Sequence, residues 1–508
     1  MNFLASIALA ITLLSYPSGF EEGDWVTITN FRFITSAAMD QNNIYFGTIN
    51  GVTRYDRFAN RWLDPMTATD GIPDHYIENT AYDPNDDRVW VNTRYGPGYY
   101  QPTFRQWYSG SEFPLDLARN DFKASALGVL VPDYGYTYQN GRLTDFNFRT
   151  FQLTRGVDDG FNHLYVGTWG LGAVVINPRY GDLKLLPYGL YTEDATALIR
   201  VGDNFWIGAG LDNFGDPGIT LCDTSLQVWK YYVPRYTPGI GSTRISSALG
   251  DGRTAWLGTD YGLLRYDYDS ESFTTLADFS PLPSVAVNSL AADSAWVYVG
   301  TDRGLGFVSK SGLFERRLQK KPKESGDSSG AVIDETGAPL TGKNRLQGWR
   351  VNCLRVIDPY MYVGSDHGVL RRVVNTFGDF EYINTPQGML SDDILDIAKN
   401  GDSLFFATRN DIIVVNFKTA EATTISSSKG FGRWQIRKIL VDSLNLWAAT
   451  SSGLWKYRLS DGYNRLFTRS DGMISDDVRS LEMLGDYLWM ATPGGAIRFY
   501  WNRPGRTD

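Results

Sequence analysis

Cysteine and histidine are scarce in this 508-residue sequence, which holds two Cys (Cys222, Cys353) and three His (His75, His163, His367). So small a set builds no iron-sulfur cluster, no multihaem chain and no CxxC zinc module. Basic charge is also in deficit, with 48 Lys and Arg against 57 Asp and Glu and a formal net charge of -9. Affinity for a phosphate backbone comes mainly from Lys and Arg, so nucleic acid is not an expected partner. No apolar run reaches the roughly 18 residues that a membrane-spanning helix needs. Neither a P-loop nor a GxSxG elbow stands at a strand-to-helix junction.

What is abundant is apolar, aromatic and glycine sequence. Apolar residues at 43% and charged residues at 21% place the chain among folded globular proteins. Aromatics at 14% and 52 Gly favour strands and tight turns. Residues 3–14, FLASIALAITLL, carry no charge and precede the turn-prone SYPSG, so 1–19 reads as a signal peptide of an exported protein, periplasmic, secreted or at the cell surface. In an exported chain Cys222 and Cys353 are free to pair or to stay buried as thiols.

Self-similarity organises the rest. A triplet of apolar and aromatic residues, followed by a small residue and usually Thr or Ser, recurs as IYFGT (44–48), VWVNT (89–93), LYVGT (164–168), FWIGA (205–209), AWLGT (255–259), VYVGT (297–301), MYVGS (361–365), LFFAT (404–408), LWAAT (446–450) and LWMAT (488–492). A degenerate copy, VLVPD at 129–133, brings the count to eleven units. The spacing near 42 residues is the period of a propeller blade. Each unit reads as four short strands, with a Gly after the triplet (Gly51, Gly96, Gly262, Gly304, Gly368, Gly453, Gly495) that marks a hairpin needing positive φ.

The last unit stops one strand short near Trp501, while DWVTITN at 24–30 is a strand without a unit. The expectation is an all-β fold, a β-propeller of about eleven four-stranded units whose amino-terminal strand closes the last blade. Eleven blades exceed the usual ring of four to eight, which favours two packed rings over one oversized ring. The units divide into seven over 24–317 and four over 349–502. Between them 318–348 is a Gly-, Ser-, Lys- and Pro-rich flexible insertion or inter-ring crossing.

The fuller repeat, as in SDGMISDDVRSLEMLGDYLWMATPGGAIRFY and AWLGTDYGLLRYDYDSESF, resembles the two-component regulator propeller repeat over nearly all of 24–502. The resemblance implies an exported sensing module, often two propellers in tandem, that binds carbohydrate or other ligands. No kinase, receiver or DNA-binding segment lies in the sequence. The expectation is therefore a non-enzymatic recognition scaffold whose partner is a carbohydrate, a peptide or another exported protein.

In such a ring the second-to-third-strand turns share one rim. They supply Arg94, Tyr95, Trp169, Asp260, Tyr261, Asp302, Arg303, Asp366, His367, Arg409 and Asn410, the mixture of charged and aromatic groups that suits a sugar or peptide. His75 and His367 fall on the same rim beside Asp74 and Asp366, which keeps a propeller lyase or hydrolase as the enzyme alternative. A structural or assembly factor at the cell surface is the third reading. No cofactor is expected. Acidic stretches at 83–88, 267–271, 391–393 and 475–477 are a weak calcium signal, since none has the EF-hand order, and Asp in turns explains them equally.

Overall fold

The computed structural model describes residues 20–506, less 128–129, 134, 214, 277–281, 311–322, 325–331, 334–338, 347, 375–379, 386–387, 390–392, 420, 427–431 and 433, together with the strand Leu13–Leu14. The rest of 1–19, where the sequence suggests a signal peptide, lies outside the described residues.

Local chemistry explains the repeated unit. In AWLGTDYG the strands Thr254–Thr259 and Gly262–Asp267 pair antiparallel. The Thr259 hydroxyl closes their turn by donating to the Gly262 carbonyl (2.8 Å) and accepting from the Tyr261 N–H (3.2 Å). Gly262 has φ 97°, and the seven hairpin glycines span φ 97–141°, a region that a Cβ disfavours. Some of the triplets' aromatic tips find partners in the preceding turn: Tyr45 OH donates to Asp40 (2.7 Å) and Trp447 Nε1 to Asp442 (3.0 Å), whereas the Nε1 groups of Trp90, Trp256 and Trp489 are buried without one. The aromatic bodies fill the space between blades.

Among the described residues ten sheets of four or more strands form, antiparallel but for one outer strand, over 34–66, 79–109 with Leu13–Leu14 added at its edge, 131–186, 195–232, 245–275, 287–345, 351–382, 396–425, 436–467 and 480–500. The strand Trp25–Ile28 pairs with Gly495–Tyr500 and completes the last sheet, as its missing strand demanded. Trp25 stacks on Phe499 with centroids 3.8 Å apart. The first strands of the last seven blades pack in order and return from Ser480–Leu484 to Ala195–Val201, which closes a ring of seven. The first three blades are a separate body inserted after the closing strand. Within it Ile34–Met39 packs on both Asn79–Asp83 and Thr150–Asp158. A single oversized ring is not formed.

Two further readings are corrected. The copy at 129–133 makes no blade: Val131–Pro132 runs parallel to Asp182–Leu183 as an outer strand, where Pro132 has no N–H to give. Nor do 318–348 cross between rings, because the strands on either side, Val287–Ala292 and Val351–Ile357, are neighbours in one ring. Pro339–Arg345 instead pairs with Gly304–Ser309 as the fourth strand of that blade. The division at 317 and 349 therefore falls inside the seven-blade ring. Cys222 and Cys353 lie in different blades as buried free thiols, and burial pushes both up.

Neighbouring blades meet at the small residue after each triplet. A Cβ on Gly300 would stand 2.6 Å from Val351 Cγ1 of the next blade, and one on Gly258 2.6 Å from Val287 Cγ1. Gly300→Ala is expected to force the blades apart at a cost of about 1–3 kcal/mol, read as a lower midpoint in urea unfolding.

The DG turns have their own logic. In Thr67–Gly71 the Asp70 carboxylate accepts the Thr67 N–H (2.7 Å) and Gly71 ends the turn at φ 100°. Burial pushes the Asp70 carboxyl up to about 7, against the lowering effect of the Thr67 hydrogen bonds. Between roughly pH 4 and this value the folded chain keeps a proton that the unfolded chain has released, so this group's contribution to stability falls as pH rises. Denaturant unfolding at about pH 4.5 and about pH 7.5 should show that slope diminished in Asp70→Asn.

Candidate functional site

The seven first strands surround a channel of about 400 Å³, lined from every blade of the ring. Its wall is held by side chains that bridge successive blades. Near the start of most first strands the register slips by a β-bulge, as between Val287 and Ser289 or Val351 and Cys353. The extra residue is thereby freed to face its neighbour. Thr196 Oγ1 donates to Ile245 O (3.2 Å), Ser246 Oγ to Val287 O (2.6 Å), Asn288 Nδ2 to Val351 O (3.1 Å) and Asn352 Nδ2 to Ile394 O (2.9 Å). At the next joint Asp396 accepts the Ile439 N–H (3.0 Å), then Arg437 pairs with Asp477 (2.7 Å), and Arg479 donates to Ala195 O (3.1 Å). The circuit is complete.

The channel charges are matched. Arg355 meets Asp396 at 2.7 Å and Lys438 meets Glu482 at 3.2 Å. Asp396, buried, also accepts the Ile397 N–H (2.9 Å), and its charge raises Arg355 above the usual guanidinium value.

The first strand begins beside its own second-to-third-strand turn, since Val351 pairs with Ser365 and Val287 with Thr301. One mouth of the channel is therefore ringed by those turns. Asp366 Oδ1 accepts the Arg350 N–H (3.0 Å) and lies 2.8 Å from His367 Nδ1. The His367 ring stacks on Trp349 at 4.6 Å and 12°. Arg350 Nη2 donates to Asp393 Oδ1 (3.2 Å), Asn352 Nδ2 donates to the same oxygen (3.0 Å), and Arg409 Nε donates to Oδ2 (3.0 Å). Burial acts to raise Asp393, but the Arg409 and Asn352 hydrogen bonds and the Arg350 charge hold it below the usual carboxylate range.

The sequence-derived residues divide accordingly. Asp366, His367 and Arg409 join one network through Trp349, Arg350 and Asp393, which the turns alone did not reveal because these three lie in connections between blades. Asp302 accepts the channel residue Asn288 (2.8 Å), and the Arg303 carbonyl accepts the Gly348 N–H (3.1 Å). Asp260 accepts Ser242, and Tyr261 is half-exposed beside it. Asn410 follows Arg409 in its turn. Arg94, Tyr95 and Trp169 belong to the three-blade body instead: Arg94 lies 3.4 Å from Asp74, Tyr95 is exposed, and Trp169 packs on Phe33. His75, on Asp74 at 2.8 Å, is in that body too, so the two His do not share a site.

Asp83 and Asp267 accept backbone N–H groups of their own turns. Among the described residues no group of three or more His, Cys, Asp or Glu gathers. Residues 391–392 of one acidic stretch lie outside the described residues, and in the last Asp477 pairs with Arg437 and Arg479. Among the described residues no helix is long and apolar enough to cross a membrane.

No family model and no curated protein matches the sequence. Among solved structures the chain is similar to PorZ, a bacterial surface component of the type-IX secretion system of Porphyromonas gingivalis, at 14% identity and a TM-score of 0.47, over 92% of this chain and 74% of that one. It is similar also to the extracellular domain of a putative one-component system from B. thetaiotaomicron, at 15% identity and a TM-score of 0.40, over 93% and 71%. Virginiamycin B lyase from Staphylococcus aureus follows at 12% and 0.42, over 60% and 94%. At these identities the likeness is one of fold.

Asp396→Asn removes the charge from the buried end of a pair whose other end, Arg355, is part-exposed, a loss expected to cost about 1–3 kcal/mol. Calorimetry of the variant should show this as a lowered melting midpoint.

Proposed function

We propose that the chain is an exported, non-enzymatic recognition scaffold that holds a polar ligand, a carbohydrate or a peptide, across the mouth of the seven-blade channel. The observation that carries this reading is the grouping of a stacked aromatic pair, Trp349 and His367, with Arg350, Asn352, Asp393 and Arg409 around one opening. Aromatic faces beside planar polar groups are what a sugar ring or a peptide backbone engages. Asp393, held below the usual carboxylate range by Arg409, Asn352 and Arg350, is suited to accepting hydrogen bonds from a bound ligand and not to delivering a proton. Export is supported by the uncharged run at 3–14.

The test is a thermal-shift screen of the mature chain against oligosaccharides and peptides, with mass spectrometry of each mixture. A ligand bound by the native state alone raises the midpoint. The expected result is a rise without altered small molecules, abolished in the Arg350→Ala, Arg409→Ala double variant. Product formation overturns the non-enzymatic reading. A flat screen with a stoichiometric co-purifying protein replaces it by the assembly-factor reading.

A further inference from the structure

The chain passes between the two bodies twice, at 29–33 and at 187–194, and a cavity of about 310 Å³ lies where the two crossings meet. It is separate from the channel. Arg32 comes from the first crossing, Tyr191 from the second, Phe146 and Phe151 from the three-blade body, and Trp229 and Tyr236 from the seven-blade ring.

Arg32 is the unusual member. It is 5% exposed. Nη1 donates to Gly170 O (2.9 Å), Nη2 donates to Tyr191 O (2.8 Å), and Nε has no partner. Two of five guanidinium N–H groups are thus used. Its Cζ lies 3.6 Å from the Tyr191 ring centroid. Arg54, Arg355 and Arg506 are each matched by a carboxylate, at 3.2, 2.7 and 2.7 Å, whereas Arg32 makes no ion pair among the described residues. The cavity wall holds a second cation, Arg149, and no Asp or Glu. The nearby Asp145 is occupied, accepting Arg149 Nε (2.7 Å) and the Asn147 and Arg149 N–H groups (both 2.9 Å).

Burial lowers Arg32 and the charge of Asp212 acts against that, yet a buried guanidinium with no carboxylate in contact is costly unless something anionic visits it. A planar carboxylate fits its fork, and aromatic walls offer faces to a ring carried with that carboxylate. We propose that this cavity is a second binding site, taking a small molecule that joins a carboxylate to a six-membered ring. The carboxylate sits on Arg32 and the ring lies between the aromatic walls. Bound there, it contacts both crossings and so ties the two bodies together.

The experiment titrates the mature full chain with glucuronate, galacturonate, benzoate and the neutral sugars glucose and galactose, read by calorimetry and by Trp fluorescence, for which Trp229 stands in the wall. At least one acid is expected to bind saturably and at least tenfold more tightly than the neutral sugars, and the acid arms tell a sugar acid from an aromatic one. Arg32→Lys keeps the charge but loses the fork and should weaken binding at least tenfold. Should Arg32→Lys fail to fold, Phe146→Ala, on a side chain 74% exposed, should still weaken binding severalfold with an unchanged melting midpoint. The Arg350→Ala, Arg409→Ala channel variant should bind the acid as the parent does, which separates this site from the mouth. Equal binding of acids and neutral sugars, binding of none of them, or wild-type affinity in Phe146→Ala and in any folded Arg32→Lys overturns the proposal.

Discussion

Everything in the seven-blade ring depends on a belt of contacts from one first strand to the next. A four-stranded blade satisfies its own backbone but has no reason, from that alone, to sit at a fixed angle to its neighbour. In most blades the bulge supplies the reason, because one residue of the first strand steps out of the ladder, and at four joints its side chain reaches a carbonyl across the joint. The glycines after the triplets let that reach succeed, since they allow the apolar start of the next strand to come within van der Waals distance. At the Arg437 and Arg479 joints the belt is made of charge instead of neutral polar groups. The positions that hold the ring together are therefore also those that give its channel a chemical character.

The parts of the fold governed by short-range chemistry were legible in the sequence. A hairpin that needs positive φ announces itself by glycine, and a unit one strand short implies a strand elsewhere, which Trp25–Ile28 provides. The copy at 129–133 misled because its apolar run resembles the triplet, although Pro132 within it has no N–H for a ladder and Val131–Pro132 runs as a parallel outer strand. The fourth strand at Pro339–Arg345 was hidden by its distance from the hairpin it completes.

Site residues were legible only as a region. Turn positions identified Asp366, His367 and Arg409, but the carboxylate that gathers the cations, Asp393, and the stacking partner Trp349 sit in connections that follow no repeat. The same turn logic placed Arg94, Tyr95 and Trp169 on one rim with the others, because sequence does not say which blades share a ring. The cavity at the crossings was beyond reach altogether. Arg32 and Tyr191 are separated by 159 positions, and aromatics of that kind read as core.

The two bodies share one apolar cluster, in which Trp62 stacks on Tyr188 at 4.6 Å and Gln227 grips the Trp62 backbone at both N–H and carbonyl. Their order along the chain sets a sequence of events. Trp25–Ile28 is made among the first strands and its partner Gly495–Tyr500 among the last, with the whole three-blade body and six blades in between. As the chain emerges, whether from a ribosome or from an export channel, the inserted body has all its strands early and is able to fold while the early strand waits, unpaired, beside it. The large ring acquires its final joint only when its last hairpin arrives. A chain halted short of that hairpin would carry a finished small body, an unfinished arc and an open strand edge, the kind of edge that pairs with other chains.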